Sequence, residues 1–327
     1  ADALNAGINA SRYPLFCSVD ADSVLERVSM RRVVQPFLEN PHTIASGGSI
    51  RIANGCTFDS GFLTSKGLPR NPLALFQVVE YMRAFLFGRL GWSPLNAVLI
   101  ISGAFGVFRK EVVVKAGGYR TDTVGEDMEL VVRLHRLHRT GNIPYRIVFV
   151  PDPVCWTEAP QKLLVLKNQR MRWQRGLIES LTMNIGLLFH RRGGTAGWLA
   201  FPFMVLFEWL GPLVEVAGYC FMITAFFSGL VSLEAFVTFM LVAFGLGLVL
   251  SINSLLLEEI SFHIYQKPHQ IVVLLLVVVL ENFGYRQLNS VWRFWALLLW
   301  MFHFKLHWGE MPRSASWACT ADQQAVI

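Results

Sequence analysis

Two carboxylates, Asp20 and Asp22, stand one residue apart where the apolar run 13–19 ends. If that run is a buried strand, both side chains project into the crevice at its carboxyl end, where α/β proteins bind their ligands. Two carboxylates in such a crevice suit a metal ion bound to a diphosphate. The alternative is helix capping, because Ser23 and Glu26 have the spacing of a capping box. Taken alone, the tripeptide favours capping, so the rest of the chain must decide.

A third acid, Asp127, opens a predicted helix over 125–141. The apolar stripe of that helix is Leu130, Val131 and Leu134, so Asp127 points to the same side as the core. Apolar surroundings raise the proton affinity of a carboxylate, as a general base requires, whereas a helix N-terminus lowers it. The sequence leaves this balance open. It also leaves open the simpler interpretation of an acid that only stabilises a helix end.

The segment "QRMRWQRG" carries the third candidate site. On a helix, Gln169, Arg172 and Trp173 share one face, because they are spaced i, i+3 and i+4. Such a face suits a diphosphate bound by the guanidinium and a sugar ring stacked on the indole. The alternative is a basic interfacial helix with a Trp anchor, which would account for Arg170 and Arg175 but not for the alignment of the other three.

The elements that must position these residues alternate between strands and helices. This alternation predicts an α/β layered domain with a largely parallel sheet, whose strand ends carry the ligand site. The predicted strands are 13–19, 43–54 and 145–153, and the predicted helices are 24–39, 72–90, 125–141 and 161–189. The segment "ISGAFGVFRKEVVVKAGGY" predicts a further strand followed by a short helix.

The apolar composition of the second half of the chain predicts a membrane protein. Residues 198–227 and 233–257 each exceed the roughly 20 apolar residues that span a bilayer. The basic flanks "HRRGG" and "HIYQKPH" predict that both flanks are cytoplasmic. The apolar stretch 270–302 is interrupted by charges and fits one tilted span, a broken hairpin or an interfacial helix. Glu208 and Glu215 are seven residues apart, so we expect both to face protein or a water-filled path rather than lipid.

The basic residues argue against a nucleic-acid ligand. The chain has a net charge of +6, but its Lys and Arg are not interleaved with aromatic residues as a nucleic-acid groove requires. Many of them lie just before the apolar half, a position that suits anionic lipid headgroups or a phosphorylated substrate.

Taken together, the three motifs resemble a known family. Asp20-Ala-Asp22, Gly125-Glu126-Asp127 and Gln169-x-x-Arg172-Trp173, followed at once by membrane helices, are similar in order and spacing to the membrane-embedded processive β-glycosyltransferases of family 2. Cellulose, chitin, hyaluronan and poly-N-acetylglucosamine synthases belong to that family. On this resemblance the paired acids are a metal site rather than helix caps.

The resemblance implies a fold and a division of the chain. The fold is an α/β nucleotide-diphospho-sugar transferase type A (Rossmann-like) domain, followed by α-helical transmembrane segments. In the family a first strand and a uridine-binding Asp precede the point that corresponds to Ala1, so we expect the domain to be incomplete at its N-terminus and this chain alone to be inactive. The expected parts are a partial cytosolic transferase domain (1–160), an interfacial helical segment (161–197), a transmembrane region (198–304) and a C-terminal tail (305–327).

The family's roles transfer to matching positions. Asp22, with Asp20 nearby, would bind a Mg²⁺ or Mn²⁺ that bridges the phosphates of a UDP-sugar. Asp127 would be the catalytic base that takes the proton from the acceptor hydroxyl. "SGAF" (102–105) resembles the family's acceptor-floor loop, although a plain glycine turn fits it equally well.

The QxxRW positions take the remaining roles. Gln169 and Arg172 would steady the diphosphate and the acceptor, and Trp173 would stack on the acceptor sugar.

The implied function is inverting, processive transfer from a UDP-sugar, with UDP-N-acetylglucosamine or UDP-glucose expected, to a β-linked polysaccharide of the cell wall or biofilm type. The implied partners are the donor, the growing glycan, the lipid bilayer and accessory export subunits, and not nucleic acid. The implied location is the inner (cytoplasmic) membrane with the catalytic domain in the cytoplasm. Two rival functions remain: a transferase of single sugars onto polyprenyl phosphate, and a catalytically inactive membrane subunit or truncated copy.

Overall fold

The computed structural model describes residues 1–59 and 61–304. The predicted C-terminal tail, 305–327, lies outside the described residues. The strands are β1 (Leu15–Val19), β2 (Val24–Leu25), β3 (Thr43–Ile52), β4 (Thr57–Asp59), β5 (Phe62–Ser65), β6 (Phe105–Arg109) and β7 (Arg146–Thr157). The helices are α1 (Asp2–Ala10), α2 (Ser29–Glu39), α3 (Pro72–Tyr81), α4 (Gly88–Leu90), α5 (Lys110–Lys115), α6 (Glu126–Thr140), α7 (Leu163–Met183), α8 (Phe201–Phe203), α9 (Gly211–Phe227), α10 (Leu233–Ser261), α11 (Pro268–Leu280) and α12 (Tyr285–Met301).

Five strands form one mixed sheet in the order β1-β6-β3-β7-β2. Only β3 and β7 pair in parallel among the described strands; β6 runs antiparallel to both of its neighbours, and β2 runs antiparallel to β7. The prediction of a largely parallel sheet was therefore wrong. Strand–helix alternation implies parallel neighbours only where a helix crosses back over the sheet, and β6 instead enters the sheet from the opposite end.

This topology gathers several chain segments at one edge of the sheet. Because β6 is antiparallel to β1, its first residue, Phe105, lies opposite Val19, the last residue of β1. The loop before β6 therefore meets the turn after β1. The carboxyl ends of β3 and β7 point to the same edge, because these strands are parallel to each other and β3 is antiparallel to β6.

The helix predicted to begin at residue 24 begins at Ser29 instead. Val24 and Leu25 form β2 and pair with Trp156 and Cys155 of β7, so tertiary pairing overrides the local helical pattern. The N-cap of α2 is Val28, which makes no side-chain capping hydrogen bond. Helix capping by the acids of 20–26 is therefore wrong.

Helices cover both faces of the sheet. The side that carries α6 buries Leu130, Val131 and Leu134 completely, which confirms the predicted inward stripe. The other side is covered by α2, by α3 with the π-helical turn Met82–Phe87 that continues it, and by residues from the ends of α10 and α11. The core of the sheet domain and the apolar helices therefore share one packed cluster.

Two helical stretches are long and apolar enough to cross a membrane, Ala196–Phe227 and Leu233–Ser261. They match the predicted spans 198–227 and 233–257. The third apolar stretch divides into α11 and α12, which meet at an angle of 53° and would add one span if the bent pair is counted as one. At the break, Glu281 is fully buried and pairs with Arg83 at 2.6 Å.

The two acids of the first span face protein, as predicted. Glu208 accepts a hydrogen bond from Arg293 at 2.8 Å, and Glu215 accepts one from Ser290 at 2.6 Å. Both contacts join this span to α12, so these carboxylates have partners within the protein rather than in lipid.

Candidate active site

The loop 102–105 connects two of the predicted motifs. The backbone N–H of Asp20 donates to the carbonyl of Ala104 at 3.3 Å. The backbone N–H of Gly103 donates to Asp127 Oδ2 at 2.9 Å. One short loop therefore fixes the start of the Asp-x-Asp turn on one side and the carboxylate of the candidate base on the other.

The Asp-x-Asp turn lies at the carboxyl end of β1. The N–H of Ser23 donates to the carbonyl of Asp20 at 3.0 Å and closes the turn, which leaves Asp20 exposed and Asp22 half-buried. Burial raises the pKa of the neighbouring Cys155 thiol to about 12, and the charges of the two aspartates add to this rise, whereas Ser23 opposes it. Both carboxylates therefore influence the same residue of β7, Cys155, as expected if they share one crevice.

The donor set at this turn suits a divalent cation that is shared with a substrate. Among the described residues, no group of three or more His, Cys, Asp or Glu side chains is placed to hold a metal. Mg²⁺ bound by one or two carboxylates typically takes its other ligands from substrate phosphates and water. Asp20 and Asp22 therefore fit a metal that arrives with a diphosphate rather than a permanently caged one.

Asp127 lies in the first turn of α6, with its carboxylate held at both oxygens. Besides the bond from Gly103, Oδ1 accepts a hydrogen bond from the N–H of Met128 at 2.8 Å. Two backbone donors fix the orientation of the carboxylate toward the loop 102–105. The helix itself is anchored by its fully buried apolar stripe, so Asp127 sits on a rigid element.

A glycine–glycine contact brings the QxxRW helix against Asp127. A Cβ on Gly125 would lie 2.6 Å from Gly176 Cα, a distance that real Cβ atoms essentially never show. The backbones of the Gly-Glu-Asp segment and α7 therefore touch directly. Ser180 Oγ adds a hydrogen bond to the carbonyl of Gly125 at 3.2 Å. Only glycine at both positions permits this approach.

The contact places Arg172 near the acidic motif. Burial raises the pKa of Glu126 above its ordinary value, the charge of Asp127 adds to the rise, and the charge of Arg172 opposes it. The guanidinium is thus close enough to act on Glu126 at the start of α6. A cation at this position can neutralise phosphate charge.

The other QxxRW residues differ in exposure. Gln169 is buried and its Oε1 accepts a hydrogen bond from Arg170 at 3.2 Å, whereas Trp173 is 41% exposed. One indole neighbour is Tyr81, with ring centroids 6.3 Å apart. An exposed indole on a packed helix is available to stack on a sugar ring. The three residues share helix α7, with Gln169 buried and Trp173 exposed, and their role in binding stays a prediction.

Sequence reasoning missed Arg170, which it treated as a basic interfacial residue. The structure buries this side chain, with its guanidinium 4.3 Å from the centroid of the Trp173 ring. It pairs with Glu80 at 2.7 Å, and Glu80 also accepts a hydrogen bond from Tyr285 at 2.7 Å. Burial alone would lower the pKa of Arg170, but the charge of Glu80 raises this pKa above the ordinary Arg value. A chain of contacts thus runs from α12 to the exposed Trp.

Arg89 was also missed. Burial lowers its pKa to about 10, and the charges of Asp127 and Tyr81 oppose the fall, so this cation lies near the candidate base. Its guanidinium lies 4.1 Å from the centroid of the Phe85 ring. The signal in the sequence was the placement of Glu80, Arg83 and Arg89 within an otherwise apolar helix, where charges need a specific reason.

The described residues near this edge of the sheet therefore include two carboxylates that could bind a metal, an oriented carboxylate, guanidinium groups and an exposed indole. Comparison with known proteins agrees with this chemistry. The model of the family described as Glycosyl transferase family group 2 matches residues 16–251. The chain belongs to this family, and its mixed sheet with acids at the carboxyl edge is the nucleotide-diphospho-sugar transferase type A fold that the resemblance implied.

Among curated proteins, the chain is similar to the poly-beta-1,6-N-acetyl-D-glucosamine synthase of Staphylococcus aureus (strain COL), with 32% identity over 178 residues. It is 28% identical over 176 residues to the synthase of the same name from Staphylococcus epidermidis. Each match covers 54% of this chain and 38% of the relative, so the aligned part spans well under half of those proteins.

Among solved structures, the chain is similar to the mannosyltransferase PcManGT from Pyrobaculum calidifontis in complex with GDP-Man and Mn²⁺. The identity is 17%, the TM-score is 0.46, and the match covers 87% of this chain and 66% of that one.

Proposed function

We propose that the protein is an inverting, processive glycosyltransferase that extends a β-linked polysaccharide at a membrane from a UDP-sugar donor. The observation that carries this proposal is the loop 102–105, which bonds to Asp20 on one side and to Asp127 on the other. A single displacement needs donor-binding acids and a base held close together, and this loop contacts the segments that carry both. Of the two donors expected from the sequence, UDP-N-acetylglucosamine is favoured by the name of the curated relatives.

Asp22, with Asp20 beside it, would hold a Mg²⁺ or Mn²⁺ at the turn after β1. When bound, such an ion neutralises charge on the leaving diphosphate. The protein's own contribution is to place two carboxylates at a fixed edge of the sheet and to bring Arg172 toward the same crevice. The charge of the guanidinium complements phosphate oxygens in the same way.

The base step is assigned to Asp127. Its carboxylate takes the proton from the acceptor hydroxyl as that oxygen bonds to the anomeric carbon of the donor. The bond from the anomeric carbon to the UDP oxygen breaks, and its electron pair leaves with UDP. Because attack comes from the face opposite the leaving group, an α-linked donor gives a β-linked product. The two backbone donors to Asp127 keep the carboxylate aimed during this transfer.

The acceptor would lie on the QxxRW face. Trp173 offers an exposed indole on which the axial C–H groups of a β-linked sugar ring can lie. Gln169 and Arg172 line the same helix and would steady the acceptor and the diphosphate. Close packing of α7 against α6 keeps this platform at a constant distance from Asp127.

The two apolar stretches, Ala196–Phe227 and Leu233–Ser261, would anchor the enzyme in the cell membrane, with the catalytic domain on the cytoplasmic side. The basic flanks of these stretches support that orientation. A growing glycan and export subunits would then be its partners on the membrane.

The experiment that tests this function incubates membranes that contain the full-length protein with a panel of labelled UDP-sugars. We expect label from one donor, foremost N-acetylglucosamine, to enter a polymer of many sugars. A product of one sugar on a lipid would contradict processivity and support the polyprenyl phosphate rival. Absence of transfer from every donor, with the protein folded in the membrane, would support the inactive-subunit rival.

A further inference from the structure

A cavity of about 570 Å³ lies where the catalytic domain meets the apolar helices. Three parts of the chain form its walls: residues 26–28 after the Asp-x-Asp turn, residues 62–66 of and after β5, and the segment that joins α10 to α11. No role in the proposed transfer reaction falls on these residues. The proposed transfer reaction therefore does not explain why these residues form a cavity.

The cavity is positively charged. Its described lining residues include Arg27, Lys66 and Lys267 but a single carboxylate, Glu26, so three positive charges face one negative charge when His263 is counted as neutral. Glu26 lies 3.5 Å from Lys66 and also accepts a hydrogen bond from Trp156 at 3.2 Å. The remaining excess of two positive charges favours an anionic ligand.

Apolar side chains share the walls with these cations. Phe62 is 43% exposed. The guanidinium of Arg27 lies over the Phe62 ring, 4.7 Å from the ring centroid. Stacking of this kind covers the guanidinium plane and leaves its N–H edge directed outward, where it can bind an anion. Leu63, Phe262 and Ile264 line the cavity as well. The expected ligand thus has a charged group attached to an apolar part.

The length of α10 sets the level of the cavity. Its 29 residues give a helix about 43 Å long at 1.5 Å per residue, whereas the hydrocarbon core of a bilayer is about 30 Å thick. If α10 crosses the membrane, its ends extend into the headgroup region. Phe262, the first residue after α10, lines the cavity, so the cavity lies at headgroup level.

We propose that this cavity binds the phosphate headgroup of an anionic phospholipid. Lys66 and Lys267 contact the phosphate from opposite walls, one from the catalytic domain and one from the start of α11, and the apolar residues contact the first part of the acyl chains. The bound lipid thereby bridges the catalytic domain and the membrane helices. This proposal rests on α10 as a membrane helix and not on the proposed reaction, so it can be tested without turnover.

The test measures binding of dihexanoyl phosphatidylglycerol to the purified protein in a neutral detergent by titration calorimetry. The matched ligands are dihexanoyl phosphatidylcholine and inorganic phosphate. Each Lys near a lipid headgroup contributes about fivefold in affinity, so the variant Lys66→Gln/Lys267→Gln should bind phosphatidylglycerol about 30-fold more weakly. The variant Lys115→Gln/Lys162→Gln removes the same charge elsewhere and should bind like the unmodified protein.

A second variant separates charge from folding. Lys66→Arg/Lys267→Arg keeps both charges and should bind phosphatidylglycerol within about threefold of the unmodified protein. Equal loss of binding in the Arg and Gln variants would overturn the proposal, as would unchanged binding in the Gln variant. Phosphatidylcholine bound as tightly as phosphatidylglycerol would show that the net negative charge of the headgroup is not selected, and would also overturn the proposal. Inorganic phosphate bound as tightly, with the same loss in the Gln variant, would assign the cavity to free phosphate instead.

Discussion

The contact between Gly125 and Gly176 gives a sharp prediction about how the site is held together. A Cβ at position 176 would lie 2.8 Å from Gly125 Cα and 3.0 Å from Gly125 N, whereas ordinary contact begins at 3.4 Å. The substitution Gly176→Ala must therefore separate α7 from the start of α6 by about 0.6 Å. The neighbouring atoms are backbone, so no side chain can rotate away to relieve the contact.

Two opposing effects set the size of the loss. Ala is favoured over Gly within a helix by about 1 kcal/mol, whereas overpacking typically costs about 1–3 kcal/mol. Because the contact is with rigid backbone, the upper end applies, and we expect Gly176→Ala to lower the free energy of unfolding by about 2 kcal/mol. A 1 Å misplacement of catalytic groups can reduce the rate about 100-fold, so a shift of this size should cost roughly tenfold in turnover.

The assay compares turnover and the thermal unfolding midpoint among three variants. Gly125→Ala, whose Cβ would approach Gly176 Cα to 2.6 Å, should lose the most activity, and Gly176→Ala somewhat less. Gly186→Ala is the matched control, because its Cβ would lie 3.9 Å from Arg136 Cδ in ordinary contact. If Gly176→Ala turned over at the unmodified rate with an unchanged midpoint, α7 would not depend on this contact, and the reasoning would be refuted.

Three further predictions concern single side chains. Asp22→Asn should abolish turnover and weaken UDP-sugar binding in the presence of Mn²⁺ but not in EDTA, as measured by donor titration; activity that survives in EDTA would exclude the metal role. Trp173→Ala should shorten the polymer, because loss of an aromatic contact of about 0.5–1.5 kcal/mol speeds release of the chain; Trp173→Phe is the control, and product sizing would contradict the role if lengths were unchanged. Glu80→Gln keeps a hydrogen-bond acceptor for Tyr285 but leaves Arg170 buried without its counter-charge, which should cost about 3 kcal/mol in a denaturation experiment; an unchanged midpoint would show that the ion pair is not stabilising.

The sequence predicted which candidate residues share a helix face, because local spacing determines this. Asp127 shares a helix face with its core stripe, and Gln169 shares one with Arg172 and Trp173 at i+3 and i+4, so the 3.6-residue period of a helix is enough to group them. The same argument could not bring α7 to α6. That approach depends on two glycines 51 positions apart in the chain. Nothing in the sequence around either glycine indicates that it contacts the other.

The failures have a similar origin. Val24 and Leu25 fit the apolar pattern of the following helix, but β7 offers backbone hydrogen bonds that only tertiary structure supplies. The burial of Arg170 was not predicted, because its counter-ion, Glu80, lies 90 residues away in the chain. The direction of β6 was missed because strand direction depends on where a loop enters the sheet, and composition does not record this.

The most direct test of the central claim measures turnover and UDP-sugar affinity for Asp127→Asn. The amide keeps the shape of the side chain, and its oxygen can still accept the hydrogen bond from Gly103, but it cannot take the acceptor proton. Loss of a general base typically reduces the rate about 10²–10⁴-fold, so the account predicts a fall of this size in turnover with donor affinity nearly unchanged. Turnover close to that of the unmodified protein, or an equal loss of donor binding and turnover, would contradict the assignment of Asp127 as the base.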